Sequence, residues 1–235
     1  MSTFDQQLSL LKKEMTVQGR RVLDLCTQAG DCFFDSNIDK AREVILADDA
    51  IDKADVEIER ASVPLLAMGQ TQEHAIRSVL TIVKVNNELE RIADDGVTIA
   101  EGVFNARRFT ERTPDTFRVM ANSVLGMLRD ATRSLEREDA ALARQVLLFD
   151  DTVQRFKKEI LLDAENQVVA GAFSPGFAFR LLGVVKAMDR IADHATNICE
   201  QVIYLRRGLI VRHRPDGWSD PELPHAFGAD SENES

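Results

Sequence analysis

Residues 88–101 read ELERIADDGVTIAE, and the pattern returns ninety-nine residues later as MDRIADHATNICE at 188–200. Arg91 and Arg190, Ile92 and Ile191, Ala93 and Ala192, Asp94 and Asp193, Ile99 and Ile198, and Glu101 and Glu200 are identical pairs, and Glu90 against Asp189 keeps the charge. Two further stretches stand upstream, VILADDAID at 44–52 and VLLFDDTVQ at 146–154, which pair Val44 with Val146, Asp48 with Asp150 and Asp49 with Asp151. The chain reads as one unit built twice.

Both copies of the motif read as helix. Val85, Leu89, Ile92, Gly96, Ile99 and Val103 alternate spacings of four and three, as do Met188, Ile191, Ala195, Ile198, Val202 and Leu205, the pattern of an apolar seam packed against neighbouring helices. At about 100° per residue, Glu90, Asp94 and Glu101 project within about 40° of one another, beside that seam rather than opposite it. Asp189, Asp193 and Glu200 do the same. In the upstream stretch Asp48, Asp52, Asp55 and Glu59 form another acidic stripe. Like charges four residues apart weaken a helix by a few tenths of a kcal/mol per pair, so arginine partners, a proton or a bound cation should compensate.

The composition suits an almost wholly helical protein: a single Trp, a single Tyr and few prolines in 235 residues, with no alternating β-branched run that would make a strand. A net charge of −10 argues against nucleic acid as a routine partner, because phosphate contacts need a basic face. No signal peptide or span of about eighteen apolar residues is evident, which places the chain in the cytoplasm. Cys26, Cys32 and Cys199 lack Cys-x-x-Cys spacing, so buried reduced thiols are expected.

Taken in order, the pattern predicts helices from about 4 to 34, from 38 towards Pro64, from 72 to 108, from 114 to 135, from 139 to 169 and from 175 to 207. Pro64 should kink the second or loosen its last turns. Gly69 and Thr71 read as a stop and a fresh N-cap, and Thr113-Pro114 as a capping hydroxyl followed by proline at the first helical position. The expected architecture is all-α, two tandem three-helix bundles over 1–110 and 111–208, with an irregular acidic tail over 209–235 that carries Trp218.

Stripes of carboxylates suit a hard cation such as Mg²⁺, Mn²⁺, Ca²⁺ or iron better than zinc, which prefers nitrogen and sulfur. If the second and third helices of a bundle are adjacent, Asp48 and Asp52 face Glu90 and Asp94 across a groove and could share one or more ions. The halves are unequal, since Gln154 replaces the acid expected opposite Asp52 and Lys157 and Lys158 follow it. His194 and Asn197 partly restore donors there, although a lone helical histidine is more often a hydrogen-bonded bystander than a ligand. The first-half site should bind the cation more tightly. A dimetal oxidase would need Glu-x-x-His on paired helices, and the only such spacing, Glu222 to His225, spans Pro224. Two alternatives stay open on residues alone: a metal-dependent enzyme or ion-storage bundle, and a metal-free helical adaptor.

The doubled LERIADDGVTIAE and MDRIADHATNICE, with VILADDAID and VLLFDD ahead of them, resemble the PhoU family over nearly all of residues 4–208. The resemblance implies two tandem three-helix bundles, commonly dimeric, without enzymatic activity. It implies metal contacts at Glu90 and Asp94 and at Asp189 and Asp193, with Asp48, Asp52 and Asp150 as the upstream acids. Mg, Mn or Fe is then favoured over Zn. Asp95, Thr98 and Gln154 depart from the His, Asn and acid of the family pattern. Further implied is a negative regulator of the phosphate-starvation response, a homodimer that couples the ATPase of a phosphate ABC transporter to a sensor histidine kinase. Such a protein meets the inner face of the membrane only through these partners.

Overall fold

A computed structural model describes residues 2–69, 72–104 and 110–211. They form six helices: α1 (Thr3–Asp35), α2 (Ile38–Ala67), α3 (Glu73–Phe104), α4 (Asp115–Arg137), α5 (Ala140–Val169) and α6 (Pro175–Arg207), with no strand among the described residues. The ends follow local chemistry. Ser2 and Asp5 close a reciprocal capping box on α1, while the side chains of Asn37, Asp139 and Ser174 accept from the first-turn amides of α2, α5 and α6, satisfying donors that a helix start leaves orphaned. Gly208 ends α6 at φ +71°, a conformation glycine adopts without a Cβ penalty.

Two details differ from the sequence pattern. Pro114 occupies the N-cap of α4 itself, with no side-chain cap, so Thr113 does not serve there. The α2 helix stays helical through Pro64 to Ala67, because a proline this near the end removes only one ladder bond before the helix stops. Thr71, the expected α3 end near 108 and Trp218 lie outside the described residues.

Within each half the three helices pack on one another, α1, α2 and α3 in the first and α4, α5 and α6 in the second. The halves then join through α3 against α6 and α1 against α4. The two bundles therefore lie side by side rather than merely in series: α1, α3, α4 and α6 make the centre, and α2 and α5 flank it. One continuous apolar core results. Every residue of both motif seams is buried. Cys26, Cys32 and Cys199 are free and buried, and burial pushes the Cys32 thiol up to about 11.

Gly96, in the middle of the first motif, lets α3 settle onto α1. A Cβ there would fall on Leu25 Cδ2 and 3.3 Å from Cys26 Sγ, both on buried side chains. Gly96→Val should therefore lower stability by about 1–3 kcal/mol, read as a lower urea midpoint with an unchanged m-value. An unchanged midpoint would contradict this packing.

Candidate functional site

In the first half the groove between α2 and α3 collects the predicted acids. Asp48 is half-buried on α2, with Asp52 exposed one turn on, and Glu90 and Asp94 project from α3 at the groove's edge. Burial, then the neighbouring charges of Asp52, Asp94 and Asp49, push the Asp48 carboxyl up to about 6. Glu90 and Asp94 are also raised, first by burial and then by Asp94 acting on Glu90 and Asp52 acting on both. Asp55 joins the same field, raised by burial, Glu59 and Asp52. Among the described residues no lysine or arginine forms an ion pair with any of these acids. Asp48 Oδ1 is buried with no hydrogen-bond partner, an arrangement that costs free energy unless something fills it.

Asn86 is a member of this groove that sequence reasoning did not single out. One turn before Glu90, its Nδ2 donates to Asp55 Oδ1 at 2.6 Å and to the Asp55 carbonyl at 2.9 Å. Its only sequence signal was a polar residue beside an apolar seam.

The second-half groove, between α5 and α6, is built on the same plan and neutralised differently. Asp150 is half-buried and pushed up to about 6 by burial, Asp193, Asp151 and Asp189, and its Oδ1 is likewise buried without a partner. Asp193 is raised by burial and Asp189, with Lys157 and His194 opposing. Lys157 Nζ, however, reaches 2.5 Å from Asp189 Oδ2, and Gln154 Nε2 donates to Asp189 Oδ1 at 3.0 Å. Both oxygens of Asp189 are thus engaged by the chain's own α5. The lysine occupies the electrostatic role that a cation would take.

A third arrangement ties the motifs to each other. Arg190 of α6 donates from Nε to Asp95 Oδ1 at 2.7 Å and again from Nη2. Asp95 is only 4% exposed. Across the same seam His194 Nδ1 lies 2.7 Å from Glu88 Oε2, and Asn197 Nδ2 donates to that oxygen at 2.9 Å. Burial would raise the Glu88 carboxyl, but these two partners outweigh it and hold it low. His194 and Asn197 therefore do not restore donors to the second groove; they face α3. Asp95 and Glu88 were legible only as charges beside an apolar seam, since their partners lie 95 and 106 residues away.

Among the described residues, no group of three or more His, Cys, Asp or Glu side chains already stands in metal-binding geometry. The first groove nevertheless gathers carboxylate oxygens, one of them a buried orphan, with Asp48, Glu90 and Asp94 raised by burial and neighbouring acids, which suits protons or a hard cation.

A family profile described as the PhoU domain matches residues 17–103 and again 117–202. The chain belongs to the PhoU family. It is similar to a protein named phosphate-specific transport system accessory protein PhoU homolog 1 from Thermotoga maritima, at 29% identity over 87% of this chain and 89% of that protein. It is also similar to the PhoU homolog of Aquifex aeolicus, at 30% identity over 89% and 95%. The crystal structure of PhoU from Pseudomonas aeruginosa superposes with a TM-score of 0.84 at 27% identity, covering 88% of this chain and 100% of that one. Members of the PhoU family are regulatory accessory proteins rather than enzymes. Among the described residues of this PhoU chain, no helix is long and apolar enough to cross a membrane.

The raised acids fix a sign for pH dependence. Burial and neighbouring acids push the Asp48 and Asp150 carboxyls up to about 6 in the folded chain, above the ordinary aspartate value of about 3.9 that holds when unfolded. Between those values the folded state holds more protons, so stability falls as pH rises from about 4 to about 6. The urea midpoint of chelator-treated protein should drop across that window, and Asp48→Asn with Asp150→Asn should flatten the drop. A midpoint that climbs with pH there would contradict the arrangement.

Proposed function

We propose that this chain acts as an accessory regulator of a phosphate-specific transport system, the role carried in the names of its relatives. In this reading it restrains phosphate uptake and the phosphate-starvation response by bridging the transporter ATPase and a sensor histidine kinase. It works in the cytoplasm, at the inner face of the membrane. The observation that carries the proposal is the double PhoU match, which spans both bundles and both acidic grooves.

A hard cation, Mg, Mn or Fe rather than Zn, is the proposed counter-charge for the first groove, held by Asp48, Asp52, Glu90 and Asp94. Support comes from the uncompensated acids of that groove and the orphan oxygen of Asp48. Their side chains would have to swing together on binding, a rotamer change that the release of mutual repulsion favours. Asp150, Asp189 and Asp193 form the weaker second set, because Lys157 already neutralises Asp189. On this view the cation sets the shape and charge of the α2–α3 face that a partner reads.

Affinity capture with the tagged chain from phosphate-replete cells tests the proposal. Transporter ATPase and sensor kinase should both be recovered, and recovery should fall for Asp52→Asn with Asp94→Asn. Recovery of neither component by the wild-type chain would overturn the regulatory role.

A further inference from the structure

A cavity of about 340 Å³ opens where the end of α1 meets the starts of α4 and α6, away from both carboxylate grooves. In a chain of net charge −10, its lining is unusual: Arg112, Arg118 and Arg180 stand around it together with Phe33 and Phe34. Two of these guanidiniums are held by aromatic faces. Arg118 lies 4.1 Å from the Phe34 ring centroid and Arg180 4.9 Å from that of Phe33. The two rings themselves meet edge to face at 5.8 Å, with Phe117 packed against both. A cation over a ring face is attracted by the ring's π-electrons, which places these guanidiniums at the cavity wall, and guanidinium N–H groups suit an oxyanion.

Two acids also line the cavity, Glu111 and Asp115. Glu111 is already engaged, accepting from the Ser174 amide at 2.9 Å and the Ser174 hydroxyl at 2.6 Å, and these bonds hold its carboxyl down at about 2. It anchors the start of α6, and its charge also acts on Arg180. Asp115 supplies an acceptor beside the Arg112 and Arg118 donors.

We propose that this inter-repeat cavity binds a phosphoryl oxyanion, with Arg112 and Arg118 as donors, Arg180 adding positive charge from the wall, and Asp115 as the acceptor for a P–OH proton. The donor and acceptor mixture favours phosphate over sulfate, because hydrogen phosphate offers one O–H and sulfate at neutral pH offers none. The volume accommodates either the hydrated ion or the phosphoryl end of a small metabolite. The proposal is independent of the cation groove and of any transport role.

Calorimetric titration of the full chain at constant ionic strength, with inorganic phosphate, AMP and sulfate in separate arms, tests it. Saturable binding of inorganic phosphate or of AMP supports the site, and the tighter of the two identifies the free ion or a phosphomonoester as the ligand. Sulfate should bind at least about tenfold more weakly, and Arg112→Gln with Arg118→Gln, both exposed positions, should weaken binding by about tenfold or more. Absence of saturable binding by both phosphate and AMP, sulfate binding as tight as phosphate, or full affinity in the double variant with unchanged helicity would each overturn the assignment.

Discussion

Helices α3 and α6 can bury their apolar seams against each other only if the charged side chains carried on the same faces find partners there. This constraint divides the acidic motif into two groups. Asp95 and Glu88 point into the seam and are satisfied from the opposite repeat, by Arg190 and by His194 with Asn197. Asp95 is buried and Arg190 partly exposed, so losing the arginine would leave a buried carboxylate unpaired, which is costly. Glu90, Asp94, Asp189 and Asp193 lie outside the seam and face α2 or α5.

The outer acids then have to be balanced in each half separately, and the two halves differ. In the second, Lys157 and Gln154 engage both oxygens of Asp189. In the first, nothing of the kind exists among the described residues, and Asp48, Asp55, Glu90 and Asp94 are raised by burial first and then by neighbouring acids. An internal duplication has thus kept the scaffold while diverging in how each groove is neutralised. On the proposed reading, the first groove draws its counter-charge from solution and the second carries its own.

Much of this was legible in the sequence. Apolar spacing of three and four places both seams correctly, down to the buried Gly96 and Ala195, and the caps at Asn37 and Ser174 sit where short polar side chains precede apolar runs. The stripes also put Asp48 and Asp52 in one field with Glu90 and Asp94, because adjacency of consecutive helices follows from short connections. The rest depends on the rotation of α3 against α6, which no local pattern encodes. That rotation turns His194 towards Glu88 and not towards the second groove. The run of basic residues after Gln154 signalled fewer ligands, yet the lysine's reach onto Asp189 is a rotamer property. The fused core, with α1 on α4, was likewise invisible to a reading made one repeat at a time.

On the proposed reading, related scaffolds present one groove that takes its counter-charge from a cation and one in which Lys157 already pairs with Asp189. Anomalous X-ray scattering from crystals grown with Mn²⁺ addresses it most directly. A peak among Asp48, Asp52, Glu90 and Asp94, higher than any among Asp150, Asp189 and Asp193, is the predicted result. A peak confined to the second set, or peaks of equal height in both with Lys157 displaced from Asp189, would contradict it.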